Sequence, residues 1–133
     1  MDDKERFKQG MTVRRAVLGD EWVDHAQARQ SGFTAEFQEF ITRYAWGEVW
    51  SRPGLDRRSR SLMTLAMMIS LGRWDEFRLH IRAALNNGLS VDEIKEVILH
   101  AAIYAGVPAA NSAFVEAVEA LKECGIDPDI SAK

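Results

Sequence analysis

The stretch from Leu55 to Gly88 constrains the fold of this chain more than any other part of the sequence. Apolar residues occupy most positions from Leu62 to Leu71, a pattern typical of a helix that is buried on nearly all sides. Gly72 is a typical helix stop, and apolar positions at helical spacing predict a second helix from about Trp74 to Asn86. The stretch therefore predicts two consecutive helices, the first of them in the core.

Several charged side chains fall within this most apolar part of the chain. His80 interrupts the apolar stripe of the second helix, and Arg73 and Glu76 lie within two turns before it on nearly the same line. Three arginines open the first helix, where the helix dipole disfavours cations: Arg57, Arg58 and Arg60. Buried charges persist when they are paired or used in function. A salt-bridge network between helices and a functional site therefore both stay open, as does a simple core role for His80.

Helical periodicity extends through the rest of the chain, and no segment alternates between apolar and polar residues as a strand does. Further helices are predicted over Asp3–Leu18, over the short segment Trp22–Gln30, from a Thr34 cap to about Trp50, from a Ser90 capping box to about Tyr104, and over Ala109–Glu123. The residues of the Ser90 helix predicted to face inward are Ile94, Val97, Ile98, Ala101 and Ala102, and those of the last helix predicted to let another helix approach closely are Ala109, Ala110, Ala113 and Ala117. Residues 127–133 are predicted to form a tail. The sequence therefore predicts an all-α protein of about six or seven helices, with a single domain over residues 1–133.

Helical spacing also predicts which side chains before Leu55 are buried. One line of the third predicted helix carries Phe37, Ile41, Tyr44 and Glu48. Glu48 is therefore expected to extend a buried apolar stripe by one turn. Trp46 and Trp50 lie beside this line, and tryptophans belong to cores or subunit interfaces more often than to cofactor sites. Arg14 and Arg15 on the first helix are, by contrast, expected to be solvated.

Composition excludes several classes of function. The 133 residues carry a net charge of −3, so no basic surface suggests binding to nucleic acid or to an anionic membrane. Cys124 is the only cysteine, which excludes an intrachain disulfide and a paired-thiol site. His80 and His100 belong to different predicted helices without metal-ligand spacing, so no metal is expected. The charged N-terminus lacks the apolar core of a signal peptide, and a cytoplasmic location is expected.

A set of short motifs lies between about Phe7 and Leu121. They are the segment 44–50 (YAWGEVW), the turn 52–55 (RPGL), the segments 60–62 (RSL) and 71–73 (LGR), His80, the pair 87–88 (NG), residues 93, 94 and 96 (Glu, Ile, Glu) and the segment 104–110 (YAGVPAA). Together these motifs resemble the 4-carboxymuconolactone decarboxylases. The first and last of these segments point to the decarboxylase branch of a wider superfamily that includes the alkylhydroperoxidase AhpD.

The resemblance implies an AhpD-like helical bundle, catalysis without a cofactor, and a ring-shaped homo-oligomer, commonly a hexamer. Other members of the superfamily often carry a CxxCxxxH thiol motif on the corresponding helix. His80 matches the histidine of that motif, while Arg73 and Glu76 stand where the cysteines would be. This departure excludes thiol peroxidase chemistry for the chain.

The reaction implied by the resemblance is the loss of CO2 from 4-carboxymuconolactone, which gives 3-oxoadipate enol-lactone. It belongs to the protocatechuate branch of the β-ketoadipate pathway of aromatic catabolism. Such a site must hold a dianion, stabilise an enolate and deliver one proton. The candidate residues are Arg58, Arg60 and Arg73 for the carboxylates, Tyr44 and Trp46 for a wall against the ring, and His80 with Glu48 for catalysis.

Two points stay open at this stage. Either His80 or Glu48 is compatible with proton delivery, because a carboxylate partner raises the pKa of a histidine whereas burial lowers it, and burial raises the pKa of a carboxyl group. Two other functions also fit the residues: a related decarboxylase or isomerase that acts on another small carboxylated ring, and an oligomeric binding protein without catalysis.

Overall fold

A computed structural model describes residues 1–131, which are almost entirely helical. The helices are α1 (Asp3–Leu18), α2 (Asp20–Ala28), α3 (Ala35–Ile41), a π-helix (Thr42–Trp50), α4 (Arg57–Leu71), α5 (Trp74–Asn86), α6 (Val91–Tyr104), α7 (Val107–Glu123) and the four-residue α8 (Pro128–Ser131). The all-α fold class is therefore confirmed. Residues 1–57 form one compact unit, and a second unit begins at Arg58. The single domain stays a prediction.

The second unit is built around an apolar core that its helices share. Leu65 and Ile69 of α4 belong to the same buried cluster as Phe77 and Ile81 of α5. Helices α6 and α7 complete this cluster with Ile94, Ile98, Ala101, Ala110, Ala113 and Ala117, among others. The alanines of α7 allow close packing, since a small side chain lets a neighbouring helix approach. The predicted inner faces of α5, α6 and α7 are therefore confirmed.

Local signals set the ends of these helices as predicted. Gly72, Gly88, Gly106 and Gly125 all have positive φ at helix ends, where a side chain would be strained. Ser90 and Glu93 form both halves of the capping box before α6. The seventh helix begins two residues earlier than predicted, because Pro108 lies in its first turn, where a missing N–H costs nothing.

The expectation that α4 is buried on nearly all sides is wrong. Only Ser61, Leu65 and Ile69 are buried, whereas Met67 is 57% exposed and Leu71 is 70% exposed. One face of the helix meets the apolar cluster, and the opposite apolar face is left uncovered in the single chain. The composition of α4 is that of a core helix, but the sequence did not indicate what would cover its outer face.

The first unit contains a close helix crossing that interrupts the predicted helix from Thr34 to Trp50. Gly10 of α1 lies so near the π-helix that an added Cβ atom would be 1.9 Å from the carbonyl oxygen of Thr42. A Cβ atom on Gly47 would in turn be 2.4 Å from the carbonyl oxygen of Arg6. From Thr42 onwards the backbone has the wider turns of a π-helix. Two glycines therefore allow backbone-to-backbone contact here.

Arg14 is buried, contrary to the expectation that it is solvated. Its guanidinium donates to the side-chain oxygen of Gln38 at 3.1 Å and to Thr42 Oγ1 at 3.4 Å, and it lies over the ring of Trp22. Burial lowers the pKa of Arg14, and the neighbouring Arg15 lowers it further. Arg15 follows the expectation better, since it pairs with Asp20 and Asp24 at the surface. Arg14 therefore links α1 to α2, α3 and the π-helix.

Candidate active site

His80 lies on α5 with most of its surface buried, as the apolar stripe predicted. Phe77 and Ile81, its neighbours on the helix, are fully buried. Burial lowers the pKa of His80 from 6.5 to about 4, and the carboxylate of Glu76 opposes this only partly. Burial therefore outweighs the effect of the carboxylate, and the imidazole is neutral at neutral pH. A neutral imidazole donates one hydrogen bond and accepts another.

Arg73 and Glu76 form an ion pair at the start of α5. Arg73 Nη2 lies 2.6 Å from Glu76 Oε1, and both side chains are substantially exposed. The hydrogen bond from Arg73 is the main cause that lowers the pKa of Glu76, and the same bond raises the pKa of Arg73. This pair lies within one helix, so it is not the salt bridge between helices that the alternative interpretation predicted. The exposed guanidinium of Arg73 therefore lies at the N-terminal end of α5, the helix that carries His80.

Arg58 is held by a carboxylate from α6. Its guanidinium pairs with Glu93, whose other oxygen accepts from the backbone N–H of Ser90 in the capping box. Arg58 is the largest cause of a lowered pKa at Glu93. This is a salt bridge between helices, so for Arg58 the network interpretation is confirmed in part. Arg60 lies half-buried two residues later, and its carbonyl accepts from Thr64.

A buried hydroxyl connects the start of α4 to the end of α5, which the sequence analysis did not single out. Ser61 is completely buried, and its Oγ accepts from Asn87 Nδ2 at 2.9 Å. Both residues lie in segments that carried the family resemblance, residues 60–62 (RSL) and 87–88 (NG). The signal was therefore present, but nothing in helical spacing indicates that these two polar side chains meet.

Glu48 is on the surface of the first unit, so the expectation that it is buried is wrong. Its side chain is 48% exposed, and its oxygens lie 3.6 Å from Arg6 Nε and 3.6 Å from Arg52 Nη1. The expectation assumed α-helical spacing, whereas residues 42–50 form a π-helix with more residues per turn. The pairing of Glu48 with His80 stays a prediction.

Tyr44 and Trp46 differ in their environments. Tyr44 is exposed, contacts the ring of Phe40, and lies beneath the guanidinium groups of Arg6 and Arg43 at 5.4 Å and 5.8 Å. Trp46 is buried and stacks on the ring of Trp50 at 5.2 Å. Of the two predicted wall residues, Tyr44 is therefore partly exposed with a ring and two guanidinium groups against it, and Trp46 is a core residue of its unit.

The described residues 1–131 show neither a metal site nor a membrane-spanning helix. No group of three or more histidine, cysteine, aspartate or glutamate side chains within residues 1–131 is arranged to hold a metal ion. None of the described helices is long and apolar enough to cross a membrane. Catalysis without a cofactor and a cytoplasmic location both stay predictions.

The model of the carboxymuconolactone decarboxylase family matches residues 35–120 of this chain. The chain therefore belongs to the carboxymuconolactone decarboxylase family, a family of all-α proteins. The predicted family resemblance is confirmed.

Particular relatives narrow this family membership. A 4-carboxymuconolactone decarboxylase from Acinetobacter baylyi is 52% identical over 129 residues, which are 97% of this chain and 96% of the relative. A nitrosuccinic acid decarboxylase from Metarhizium robertsii is 49% identical over 109 residues, 82% of this chain and 76% of the relative. A 4-carboxymuconolactone decarboxylase from Pseudomonas putida is 54% identical over 48 residues, 36% of this chain and all of the relative.

Proposed function

We propose that this protein is a carboxy-lyase that decarboxylates 4-carboxymuconolactone to 3-oxoadipate enol-lactone and CO2. The observation that carries the proposal is the 52% identity to the Acinetobacter baylyi decarboxylase over almost the full length of both chains. The reaction places the protein in aromatic catabolism, in the protocatechuate branch of the β-ketoadipate pathway.

The chemistry of this substrate needs no external electron acceptor. When CO2 leaves the ring carbon, its electron pair moves through the ring double bond into the lactone carbonyl and forms an enolate. Protonation at the carbon next to that carbonyl completes the reaction. The protein must therefore orient two carboxylates, stabilise the enolate oxygen and supply one proton. The proposal includes no metal and no organic cofactor.

His80 is proposed to stabilise the enolate oxygen as a neutral hydrogen-bond donor. Its lowered pKa, about 4, supports this role over that of an imidazolium acid, because a neutral imidazole is the form present at neutral pH. A donor in a buried position stabilises developing charge more strongly than one in water. Glu48 is proposed as the second catalytic residue: its carboxyl group takes up a proton from solvent, to which its side chain is 48% exposed, and delivers that proton to the ring carbon.

The substrate carboxylates are proposed to bind arginines. Arg58, Arg60 and Arg73 are the candidates, since a guanidinium fork matches a carboxylate with two parallel hydrogen bonds. Arg58 and Arg73 each already pair with a glutamate that holds the guanidinium in place. Tyr44 and Trp46 are proposed as the wall against the ring, with Tyr44 offering the exposed surface.

A homo-oligomer, in the form of a hexameric ring, is also proposed. Large apolar side chains are exposed on α4 and at the end of α6: Met63, Met67, Leu71, Leu99, Ile103 and Tyr104. Exposed apolar patches of this kind mark interfaces between proteins. Sedimentation of the wild type at micromolar concentration is expected to give one oligomeric species. Met67→Glu is expected to shift it towards monomer and Met67→Leu to leave it intact, whereas a stable wild-type monomer would contradict the oligomer.

The decisive experiment is a spectrophotometric assay of the purified protein with 4-carboxymuconolactone, with CO2 release measured in parallel. Turnover that gives equal amounts of enol-lactone and CO2 is expected, and an inactive, correctly folded protein would refute the proposal. The same assay with added chelator is expected to give the same rate.

Nitrosuccinic acid is the second candidate substrate, because the Metarhizium robertsii relative is 49% identical and is named for it. Both candidate substrates are dicarboxylic acids that carry their own electron-accepting group, so one set of arginines suits either. Comparing kcat/KM for the two acids separates the candidates. A higher kcat/KM for nitrosuccinic acid would show that this acid, and not the lactone, is the main substrate.

A further inference from the structure

A partly enclosed apolar cavity lies in the second unit, and neither His80 nor the arginines named above line it. It has a volume of about 250 Å³ and lies between α6 and α7, with the start of α8 as a third side. Its apolar lining includes Ile94, Ile98, Phe114, Ala117, Val118 and Leu121. Among these, Ile94, Ile98, Ala117 and Leu121 also belong to the buried core, so the floor of the cavity is rigid.

The lining determines what kind of molecule can fill this space. Water needs two to four polar partners in a cavity, and these apolar side chains provide none. A cavity of about 150 Å³ with similar lining is large enough for benzene, so 250 Å³ accommodates a substituted single ring. A rigid ring also loses less conformational entropy on binding than a flexible chain does. The ring of Phe114 adds an aromatic side chain to the lining, and aromatic rings pack favourably against one another.

The rim of the cavity determines the charge of the molecule. Lys95 and Asp129 line it from the solvent side, and both are exposed. Lys95 Nζ lies 3.8 Å from Asp92 Oδ1, so its charge is already countered. Asp129 and a lysine that already pairs with Asp92 give the rim no net positive charge, so an anionic ligand has no net attraction, whereas a neutral polar substituent can hydrogen-bond there.

We propose that this cavity is a binding site for a small neutral molecule with one aromatic ring, such as an alkyl-substituted phenol. The site is separate from the proposed reaction, because a dianionic lactone does not suit an apolar cavity with this rim. Pro128 at the start of α8 forms part of the wall, so a bound ring contacts the C-terminal helix. Binding is therefore expected to stabilise the packing of α8 against α6 and α7.

Titration of the protein, in its natural oligomeric state, with p-cresol tests the proposal. Backbone amide resonances of α6, α7 and α8 are expected to shift and to saturate, with a dissociation constant of about 0.1–1 mM. The carboxylate 4-methylbenzoate has a ring and a methyl group like those of p-cresol and is expected to bind at least about tenfold more weakly. Shifts that do not saturate, or equal binding of the carboxylate, would overturn the proposal.

Two matched substitutions on α7 locate the binding site. Val118→Phe fills the cavity and is expected to weaken p-cresol binding at least about tenfold, with Val118→Met giving an intermediate loss. Val115→Phe makes the same change one turn earlier at a position that is 60% exposed, and is expected to leave binding unchanged. Melting temperatures verify that each variant is folded. Unaltered binding in folded Val118→Phe and Val118→Met, or a wild-type cavity closed by another copy of the chain, would each refute the site.

Discussion

The two compact units of this protein hold their helices together in different ways. In the second unit, side chains such as Leu65, Phe77 and Ile98 form one apolar cluster in which α4, α5, α6 and α7 all take part. In the first unit, α1 and the π-helix meet backbone to backbone at Gly10 and Gly47, and a buried charge on Arg14 adds hydrogen bonds.

The difference affects how each unit tolerates change. An apolar cluster distributes its energy over many contacts, so a residue of similar volume is usually accepted. A backbone crossing depends on two positions without side chains, and a single methyl group is enough to separate the helices. Each unit also carries one of the proposed catalytic residues, which is buried in the second unit and exposed in the first. Four experiments test this difference between the units, beginning with the largest expected effect.

Gly10→Ala is expected to reduce the free energy of unfolding by about 3 kcal/mol or more, because the new methyl group would overlap the carbonyl of Thr42. Gly54→Ala is the matched control, since a Cβ atom there meets nothing within 4 Å, and is expected to change stability by less than about 1 kcal/mol. Urea unfolding measures both values. Equal stability of the two variants would show that the crossing in the first unit is not tight.

His80→Ala and Glu48→Gln are each expected to lower kcat by about 10²-fold or more if they act in the chemical step. Residues that act as one unit are not additive, so the double variant should be little worse than the worse single variant. Melting temperatures measured alongside kcat separate catalysis from folding. Losses that multiply in the double variant would argue against one catalytic unit, and normal turnover in folded His80→Ala would remove His80 from the mechanism.

The lowered pKa of His80 makes the stability of the protein depend on pH. A histidine with a folded pKa of about 4 and an unfolded value of 6.5 contributes stability that is present above pH 6.5 and is lost as the pH falls towards 4. Between pH 7 and pH 5 the free energy of unfolding is expected to fall by about 2 kcal/mol from this cause.

His80→Gln tests this dependence, because it removes the titrating group and keeps a polar side chain. The variant is expected to lose less stability than the wild type over the same pH range, as measured by urea unfolding at each pH. A glutamate whose lowered pKa does not depend on His80, such as Glu93, destabilises both proteins alike on acidification. Parallel curves for the wild type and His80→Gln would contradict the lowered pKa.

Arg58→Lys and Arg73→Lys are expected to have the smallest effects, a severalfold to tenfold loss of kcat/KM. Lysine keeps the charge but cannot form two parallel hydrogen bonds to a carboxylate. Arg82→Lys on α5 is a control from outside the proposed binding set and is expected to keep wild-type kinetics. If Arg58→Lys, Arg60→Lys and Arg73→Lys all retain wild-type kinetics, the arginine assignment is wrong.

The helix boundaries of the second unit could be predicted because short-range features set them. Gly72 ends α4, the capping box at Ser90 opens α6, and Pro108 starts α7 within a few residues of each signal. Helical spacing also placed Phe77 and Ile81 in the core. For the candidate site, the sequence predicted correctly that His80 is mostly buried but left open whether burial or a carboxylate controls its pKa.

Elsewhere the sequence pattern led to errors with a common cause. Glu48 and Arg14 exchanged their expected environments, since the carboxylate is exposed and the arginine is buried. The outer face of α4 at Met67 is also exposed, although its composition is that of a core. In each case the outcome depends on contacts with another helix or molecule, since the π-helix that exposes Glu48 lies at the close crossing with α1, and Arg14 and Met67 depend on the surface opposite them.

The sequence alone was sufficient for the all-α class, for most helix ends and for the inner faces of α5, α6 and α7. Those properties depend on backbone hydrogen bonds and apolar spacing within one helix, so they can be read from neighbours along the chain. Four features became apparent only in the folded protein: the π-helix, the burial of Arg14, the exposure of Glu48 and the contact of Ser61 with Asn87. These arise where helices distant in sequence meet, and the distance between two helices is a property of their packing that local spacing does not encode.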